Sequence, residues 1–318
     1  MRFGAFVPQG WRMDLVGVAP EEHWPTMLAV ASEIEKTGYE SAWVYDHFHS
    51  VPDPTQEPVY EAWTLMAALA ASTKNIRLGQ MCTCNSYRPP SYMAKVAASI
   101  DVISGGRLEF AIGAGWYEHE YLAYGYPFPS GGTRIAQLNE AVQIIKAMWA
   151  DEEATFKGEH YTVDGAICQP KPLQTPHPPV WIAGGGEKKT LRVVAEHADY
   201  SNFGAAPEHF EHKSNILKEH CEAIGRDYAD IGRTAIFHTI IGNTEAELET
   251  KVERVAKDSG RDSAWVWKSY FIGQPEKVIE RLGKLRQLGC VHVQAYFPDA
   301  AWGDGLQHFA SEVIPALS

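Results

Sequence analysis

Residues 75–121 read as strand, loop, helix, strand, loop, and this one unit restricts the chain to folds built on a parallel sheet. Ile76-Arg77-Leu78-Gly79-Gln80-Met81-Cys82-Thr83 has the character of a buried strand. Pro89-Pro90 break it, and residues 92–103 place Met93, Val96, Ala97, Ile100 and Ile103 on one face of a helix that Gly105-Gly106 end. Leu108-Glu109-Phe110-Ala111-Ile112 is a second strand, running into Gly113-Ala114-Gly115-Trp116-Tyr117-Glu118-His119-Glu120-Tyr121. Two strands joined through a crossover helix pair in parallel with a right-handed connection. Ligands of such folds bind at the carboxyl ends of the strands. The sulfur-rich loop after the first strand and the Gly-x-Gly loop after the second are therefore expected to wall a site.

The same alternation extends along the chain. Strands are predicted at 2–7, 41–45, 179–183, 198–202, 233–241 and 291–297. Helices are predicted at 24–36, 60–72, 134–150, 187–197, 210–224, 245–257, 275–288 and 306–317. With the central unit this makes eight strands, the count of a (β/α)8 TIM barrel with insertions spanning 1–318 as one domain. A β-hairpin insertion is expected at about 153–168 and a second insertion at about 260–270. The competing architecture is an open doubly wound sheet, but no Gly-x-Gly-x-x-Gly follows the first strand, where a dinucleotide fold needs it. The 318 residues, 45% of them apolar, suffice for a large core.

Lys and Arg number 28 against 40 Asp and Glu, a net charge of −12 that argues against nucleic acid or an anionic membrane as partner. No basic segment precedes an apolar run, and no apolar run reaches the roughly 18 residues of a membrane span. The five cysteines, odd in number and scattered, suggest neither disulfides nor a metal centre and fit reduced thiols of a cytoplasmic enzyme.

Three stretches could carry chemistry. Gly184-Gly185-Gly186, between a strand and a helix expected to begin near Glu187, is a candidate anion cradle, with Lys188 and Lys189 adding charge; the plain alternative is a flexible turn. Asp46-His47 follow the strand at 41–45. A histidine there can shuttle protons, and the aspartate can orient it or bond a ligand. Met81, Cys82 and Thr83 offer small, soft side chains against which a flat ring could lie, and nothing nearby marks Cys82 or Cys84 as a catalytic thiol. Trp11, Glu118, Trp265 and Trp267 are candidates for a substrate pocket. Glu120 reads as solvated, and His238 as a satisfied core histidine.

With these residues in place, the chain resembles the luciferase-like monooxygenase superfamily, most closely its branch that uses the deazaflavin coenzyme F420. The resemblance covers almost the whole sequence. It is carried by Ser41-Ala42-Trp43-Val44-Tyr45-Asp46-His47-Phe48, Arg77-Leu78-Gly79-Gln80, residues 108–116, residues 181–186 and Gly273-Gln274-Pro275-Glu276-Lys277-Val278. It implies a bacterial luciferase-like barrel, a homodimer and a small-molecule substrate. It further implies a non-prolyl cis peptide at Met81–Cys82 backing the cofactor ring, and Asp46 and His47 near the reactive face. Gly113, Ala114, Gly115 and Trp116 would run along the ribityl chain and phosphate, with Gly184, Gly185 and Gly186 as the phosphate loop. Some deazaflavin dehydrogenases carry Glu directly after the Gly-x-Gly where this chain has Trp116, which argues against a sugar phosphate as substrate. The implied activity is F420-dependent hydride transfer. The alternatives are an FMN-dependent two-component monooxygenase using O2 and a reductase partner, and a non-catalytic flavin-binding protein.

Overall fold

A computed structural model describes residues 1–318. Its elements in chain order are β1 (Arg2–Phe6), α1 (His23–Lys36), β2 (Ser41–Val44), α2 (Ala62–Ser72), β3 (Arg77–Gln80), β4 (Thr83–Cys84), α3 (Pro90–Ser104), β5 (Leu108–Gly113), α4 (Glu118–Ala123) and α5 (Gly131–Ala150). Then follow β6 (Ala154–Lys157), β7 (Thr162–Ala166), β8 (Val180–Ala183), α6 (Thr190–His197), β9 (Tyr200–Gly204), α7 (Pro207–Ile224) and β10 (Gly232–Ile241). The chain ends with α8 (Glu245–Asp258), α9 (Ser263–Ser269), β11 (Phe271–Gly273), α10 (Pro275–Gln287), β12 (Cys290–Tyr296) and α11 (Gly305–Leu317).

The strand order β1-β2-β3-β5-β8-β9-β10-β12 closes on itself, because β12 pairs in parallel with β1 as well as with β10. Eight parallel strands surrounded by helices form a (β/α)8 barrel, and closure disposes of the open-sheet alternative. Proline in the first turn and glycine after the last explain the boundaries of two helices. Pro90 and Pro207 open α3 and α7, and Gly105 and Gly225, both at φ 71°, close them.

Strand alternation sorts side chains into two layers. Phe3, Ala5 and Val7, with Ala42, Val44, Phe110, Ile112, Val180, Ile182, Val293 and Ala295, point outward into the large core shared with the helices. Phe6, Trp43, Tyr45, Ala111, Trp181 and Tyr296 point into the barrel. Trp43 and Trp181 plug its lower half edge to face, with centroids 5.0 Å apart. The plug depends on empty space: a Cβ on Gly79 would lie 2.3 Å from the Trp43 ring, and one on Gly4 would lie 2.4 Å from its indole nitrogen.

The hairpin expected at 153–168 is β6–β7, antiparallel. Glu140 of α5 holds its turn by accepting from the amides of Glu159, His160 and Tyr161 at 2.7–3.0 Å. The segment expected as an insertion at about 260–270 is helical over α9, and β11 then adds a parallel strand to β10. Three local expectations need correction. Helix α4 forms within a stretch read as loop. Helix α5 begins at Gly131 rather than at 134, with Ser130 as its cap. Helix α6 begins at Thr190 rather than near Glu187, because a turn intervenes and the Leu191 amide bonds back to the Gly186 carbonyl. All five cysteines are free, and no helix is long and apolar enough to cross a membrane.

Replacing Gly79 with alanine is expected to lower unfolding stability by about 1–3 kcal/mol through overpacking of Trp43, read as a lower denaturation midpoint with an unchanged cofactor-free fold by circular dichroism.

Candidate functional site

The inward residues nearest the carboxyl ends of the strands form the floor of a cleft of about 420 Å³. Tyr45, Met81, Gly113, Ala183, Asn202, Ile236 and His238 all face it. The lower barrel is filled by two indoles, whereas Gly113 and Ala183 leave the upper barrel open.

His47 stands at one end, its side chain 12% exposed. Its Nδ1 lies 2.7 Å from Glu120 Oε2. Glu120 is fully buried and also accepts from the Tyr87 hydroxyl (2.6 Å) and from the amides of Phe48 (2.7 Å) and His49 (2.8 Å). Burial alone would raise its pKa. The bond and charge of His47, the His49 amide and the Tyr87 hydroxyl outweigh that and hold it below the usual glutamate range. An ionised carboxylate only accepts, so Nδ1 of His47 carries the proton and Nε2 is the nitrogen left for a ligand. The imidazole is stacked on Trp11 at 4.2 Å and 3° and meets Trp116 edge-on at 5.8 Å.

Glu120 is therefore the residue that orients His47, not a solvated side chain, and Asp46 does not orient it. Asp46 is buried and engaged elsewhere. It takes a two-pronged ion pair from Arg88 (2.7 and 2.9 Å) and accepts the Cys84 amide at 2.8 Å. That bond fixes the bulge between β3 and β4, where the Met81–Cys82 peptide is cis. Burial, aided by the neighbouring Cys84 and Asp46, pushes the Cys82 thiol up; burial and then Asp46 push Cys84 up to about 12. Both stay protonated at neutral pH and are poor nucleophiles.

At the other end lie Gly184, Thr190, Gly131 and Arg134. Gly184 adopts φ +126°, a conformation open to glycine and rare for other residues. The Arg134 guanidinium sits 3.9 Å from the Phe128 ring centroid and donates to the Pro129 carbonyl. Lys189 Nζ lies 3.0 Å from where a Cβ on Gly132 would stand, beside the first turn of α5. Glycine backbone, the first turn of α5 and two cations thus meet in one corner, as an anion requires.

The structure brings most of the sequence candidates together. His47, Asp46, Met81, Cys82, Gly113, Ala114, Gly115, Trp116, Gly184 and Trp11 all line the cleft. Others do not. Thr83 is buried and donates to Gln80 at 2.9 Å. Gly185 and Gly186 are not among the lining residues; a Cβ on Gly185 would meet Lys213, and one on Gly186 would meet Thr190. Glu118 and Trp267 are exposed, and Trp265 lines a smaller cavity that also touches Trp11 and Trp116. His238, read as a core histidine, faces the cleft, with Nε2 at 3.3 Å from the Tyr45 hydroxyl. Burial, followed by the charge of Arg12, pushes its pKa well down, so it is a neutral imidazole. Glu120, Tyr87, Arg88 and Arg134 were not picked out by sequence. Only Arg134 carried a local signal, a cation at a helix start after Gly131-Gly132.

Residues 1–265 match the family model described as luciferase-like monooxygenase. The pyrimidine monooxygenase RutA of Enterobacter cloacae subsp. cloacae is 28% identical over 279 residues, 84% of this chain and 74% of that protein. Among solved structures, an F420-dependent secondary alcohol dehydrogenase in complex with an F420–acetone adduct superposes at a TM-score of 0.82 and 22% identity, covering 100% of this chain and 99% of that one. The oxygenating constituent of 3,6-diketocamphane monooxygenase from the CAM plasmid of Pseudomonas putida, in complex with FMN, gives 0.75 at 18% identity, covering 99% and 98%. At these identities the two solved structures speak for the fold.

Glu120→Gln should cost on the order of 2 kcal/mol of stability at neutral pH. Because the folded-state pKa of Glu120 is depressed, its contribution is complete above the ordinary glutamate range and is lost as pH falls through the folded value. Thermal unfolding across pH 3–7 should show wild type and variant converging on the acid side. A constant gap between the two curves would contradict the assignment.

Proposed function

The chain belongs to the luciferase-like monooxygenase family, and from that premise we propose that it is an oxidoreductase that uses coenzyme F420 to move a hydride to or from a small organic substrate. The observation carrying this reading is the cleft with a tautomer-fixed His47 at one end and a glycine- and cation-lined corner at the other.

The cleft residues fit a tricyclic cofactor with an anionic tail. Met81, Cys82 and Ala183 line the cleft and would back the ring. A Cβ on Gly113 would fall 2.6 Å from Cys82 Sγ and one on Gly115 1.8 Å from the Tyr121 hydroxyl, so the cradle exists only with glycine there. Arg134, Gly131, Gly184 and Thr190 would hold the phosphate, and Gly113, Ala114 and Gly115 the chain between ring and phosphate. When bound, F420 supplies the carbon that gives or accepts the hydride.

The protein's own part is proton management and exclusion of water. In substrate oxidation His47 takes the substrate's proton at Nε2 and becomes imidazolium; in reduction the imidazolium gives that proton back. In both directions Glu120 stabilises the imidazolium and holds Nδ1–H. Trp11 and Trp116 cover the ring of His47. His238, neutral, can donate or accept a single hydrogen bond toward the substrate. Asp46 acts indirectly, through the Cys84 amide.

A second reading, an FMN-dependent monooxygenase using O2 with a reductase partner, is favoured by the 28% identity to a pyrimidine monooxygenase over most of this chain. Fluorescence and absorbance titration with F420 and with FMN separates the two. The F420 reading expects saturable F420 uptake and weaker FMN binding; tight FMN binding without F420 uptake, together with O2 consumption on adding reduced FMN, favours the monooxygenase.

Arg134→Met should weaken cofactor binding by about tenfold to a hundredfold, the loss of one charge-assisted contact to a phosphate. His47→Gln should leave the cofactor's dissociation constant nearly unchanged while lowering turnover by about 10²–10⁴.

A further inference from the structure

The loop after β1 holds a cation that forms no salt bridge with a carboxylate of the protein, the buried Asp14 acting on it only through its charge. The Arg12 guanidinium lies among three aromatic rings, 5.4 Å from the Trp11 centroid, 5.3 Å from Tyr296 and 5.8 Å from Tyr270. Its Nε is buried without a hydrogen-bond partner, and Arg12 takes part in none of the ion pairs of the molecule. The carboxylate two residues away is already spent: Asp14 Oδ1 accepts from the amides of Gln9 (3.1 Å) and Gly10 (2.6 Å), and Oδ2 from the Tyr296 hydroxyl (3.2 Å). Cation–π contact offsets part of the cost of removing a guanidinium from water, but leaves its N–H donors without acceptors of matching charge.

This cation lines a cavity of about 240 Å³ whose other walls include Trp11, Trp116, Trp265 and Tyr270. Trp11 and Trp116 also line the main cleft, where they flank His47, so the two spaces adjoin there. The charge of Arg12 also reaches the main cleft directly, since it helps to keep His238 neutral. A small space with one guanidinium that lacks a salt-bridge partner and with aromatic walls is complementary to a flat or apolar molecule bearing one oxyanion. The cofactor's own anion has a separate corner, with Arg134 and Gly184.

We propose that this side cavity is the substrate's anion subsite: Arg12 receives a carboxylate or sulfonate on a substrate with an aromatic or apolar body, whose reacting end extends past Trp11 and Trp116 to His47. The inference rests on the main cleft being where the substrate reacts, and it holds for either cofactor. It makes Arg12 a specificity-determining residue and neutral alcohols or ketones of similar shape poor ligands.

The test uses purified full-length protein at low ionic strength, with benzoate, benzenesulfonate and the neutral isostere benzamide as probes, followed by calorimetry and by quenching of tryptophan fluorescence. At least one anion should bind about tenfold or more tightly than benzamide. Arg12→Met should abolish the difference while leaving benzamide binding unchanged, and Arg12→Lys should retain part of it. Trp265→Ala removes wall and no charge, and should weaken all three probes alike. The proposal is overturned if the wild type binds anions and benzamide equally, if it binds none of them, or if the preference survives in Arg12→Met. Should Arg12→Met not fold, the wild-type comparison and Arg12→Lys decide. F420 and FMN uptake measured on the same samples keeps the two claims apart: failure to load either cofactor with anion preference intact removes the cofactor reading alone, and normal loading without anion preference removes only the subsite.

Discussion

One buried carboxylate holds the mouth of this barrel in shape. Glu120 is fully buried and accepts four hydrogen bonds from His47, Phe48, His49 and Tyr87. These donors belong to the loops after β2 and β4, while Glu120 itself belongs to α4, beyond β5. Three strand-end loops that share no local sequence are thereby tied to a single point. Charge-assisted bonds are worth about 1.5–3 kcal/mol each, and an unpaired buried carboxylate would be costly, so the loops and the charge stabilise one another only together. A second clamp, Arg88 between Asp46 and Glu61, works beside it on the β2 and β4 loops. The site is built on loops, but these loops are cross-linked by charge.

The strands divide the labour by height. Inward positions low in the barrel carry Trp43 and Trp181, which close it; inward positions one step higher include Gly113 and Ala183, which leave it open. The same two-residue alternation that makes the barrel fold therefore also fixes the depth of the cleft. Polar function enters at this level and above it, with Tyr45, Asn202, His238 and the loops. In a chain of net charge −12, two arginines, Arg134 and Arg12, face the cleft and its side cavity. Their separation is what would let one bound anion be told from another.

What the sequence disclosed, and what it withheld, follows from the range of the forces involved. The barrel was legible because each βα unit announces itself locally: Pro90 and Gly105 bracket α3, and Met93, Ala97 and Ile100 mark its buried face. His47, the Gly-x-Gly loop and Gly184 were legible because a glycine or a histidine at a strand's end has few other uses. Glu120 was not, because its six-residue helix α4 has too little periodicity to be seen and its four donors lie 33 to 73 residues away. Gly185 and Gly186 looked equivalent to Gly184, yet only Gly184 is among the residues that line the cleft. Trp265 and Trp267 looked alike too, and only the helical form of α9 sends one to a cavity and the other to solvent. Arg12 carried no signal at all, since the absence of a counter-ion is a property of three-dimensional surroundings.

The most direct measurement of the central claim is a crystal structure of the protein grown with F420. The account requires the deazaflavin ring against Met81 and Cys82 with its reactive face toward His47, and the phosphate among Gly184, Gly131 and Arg134. Density for the ring elsewhere, or a cleft closed by rearranged side chains with the phosphate away from Arg134, would contradict it.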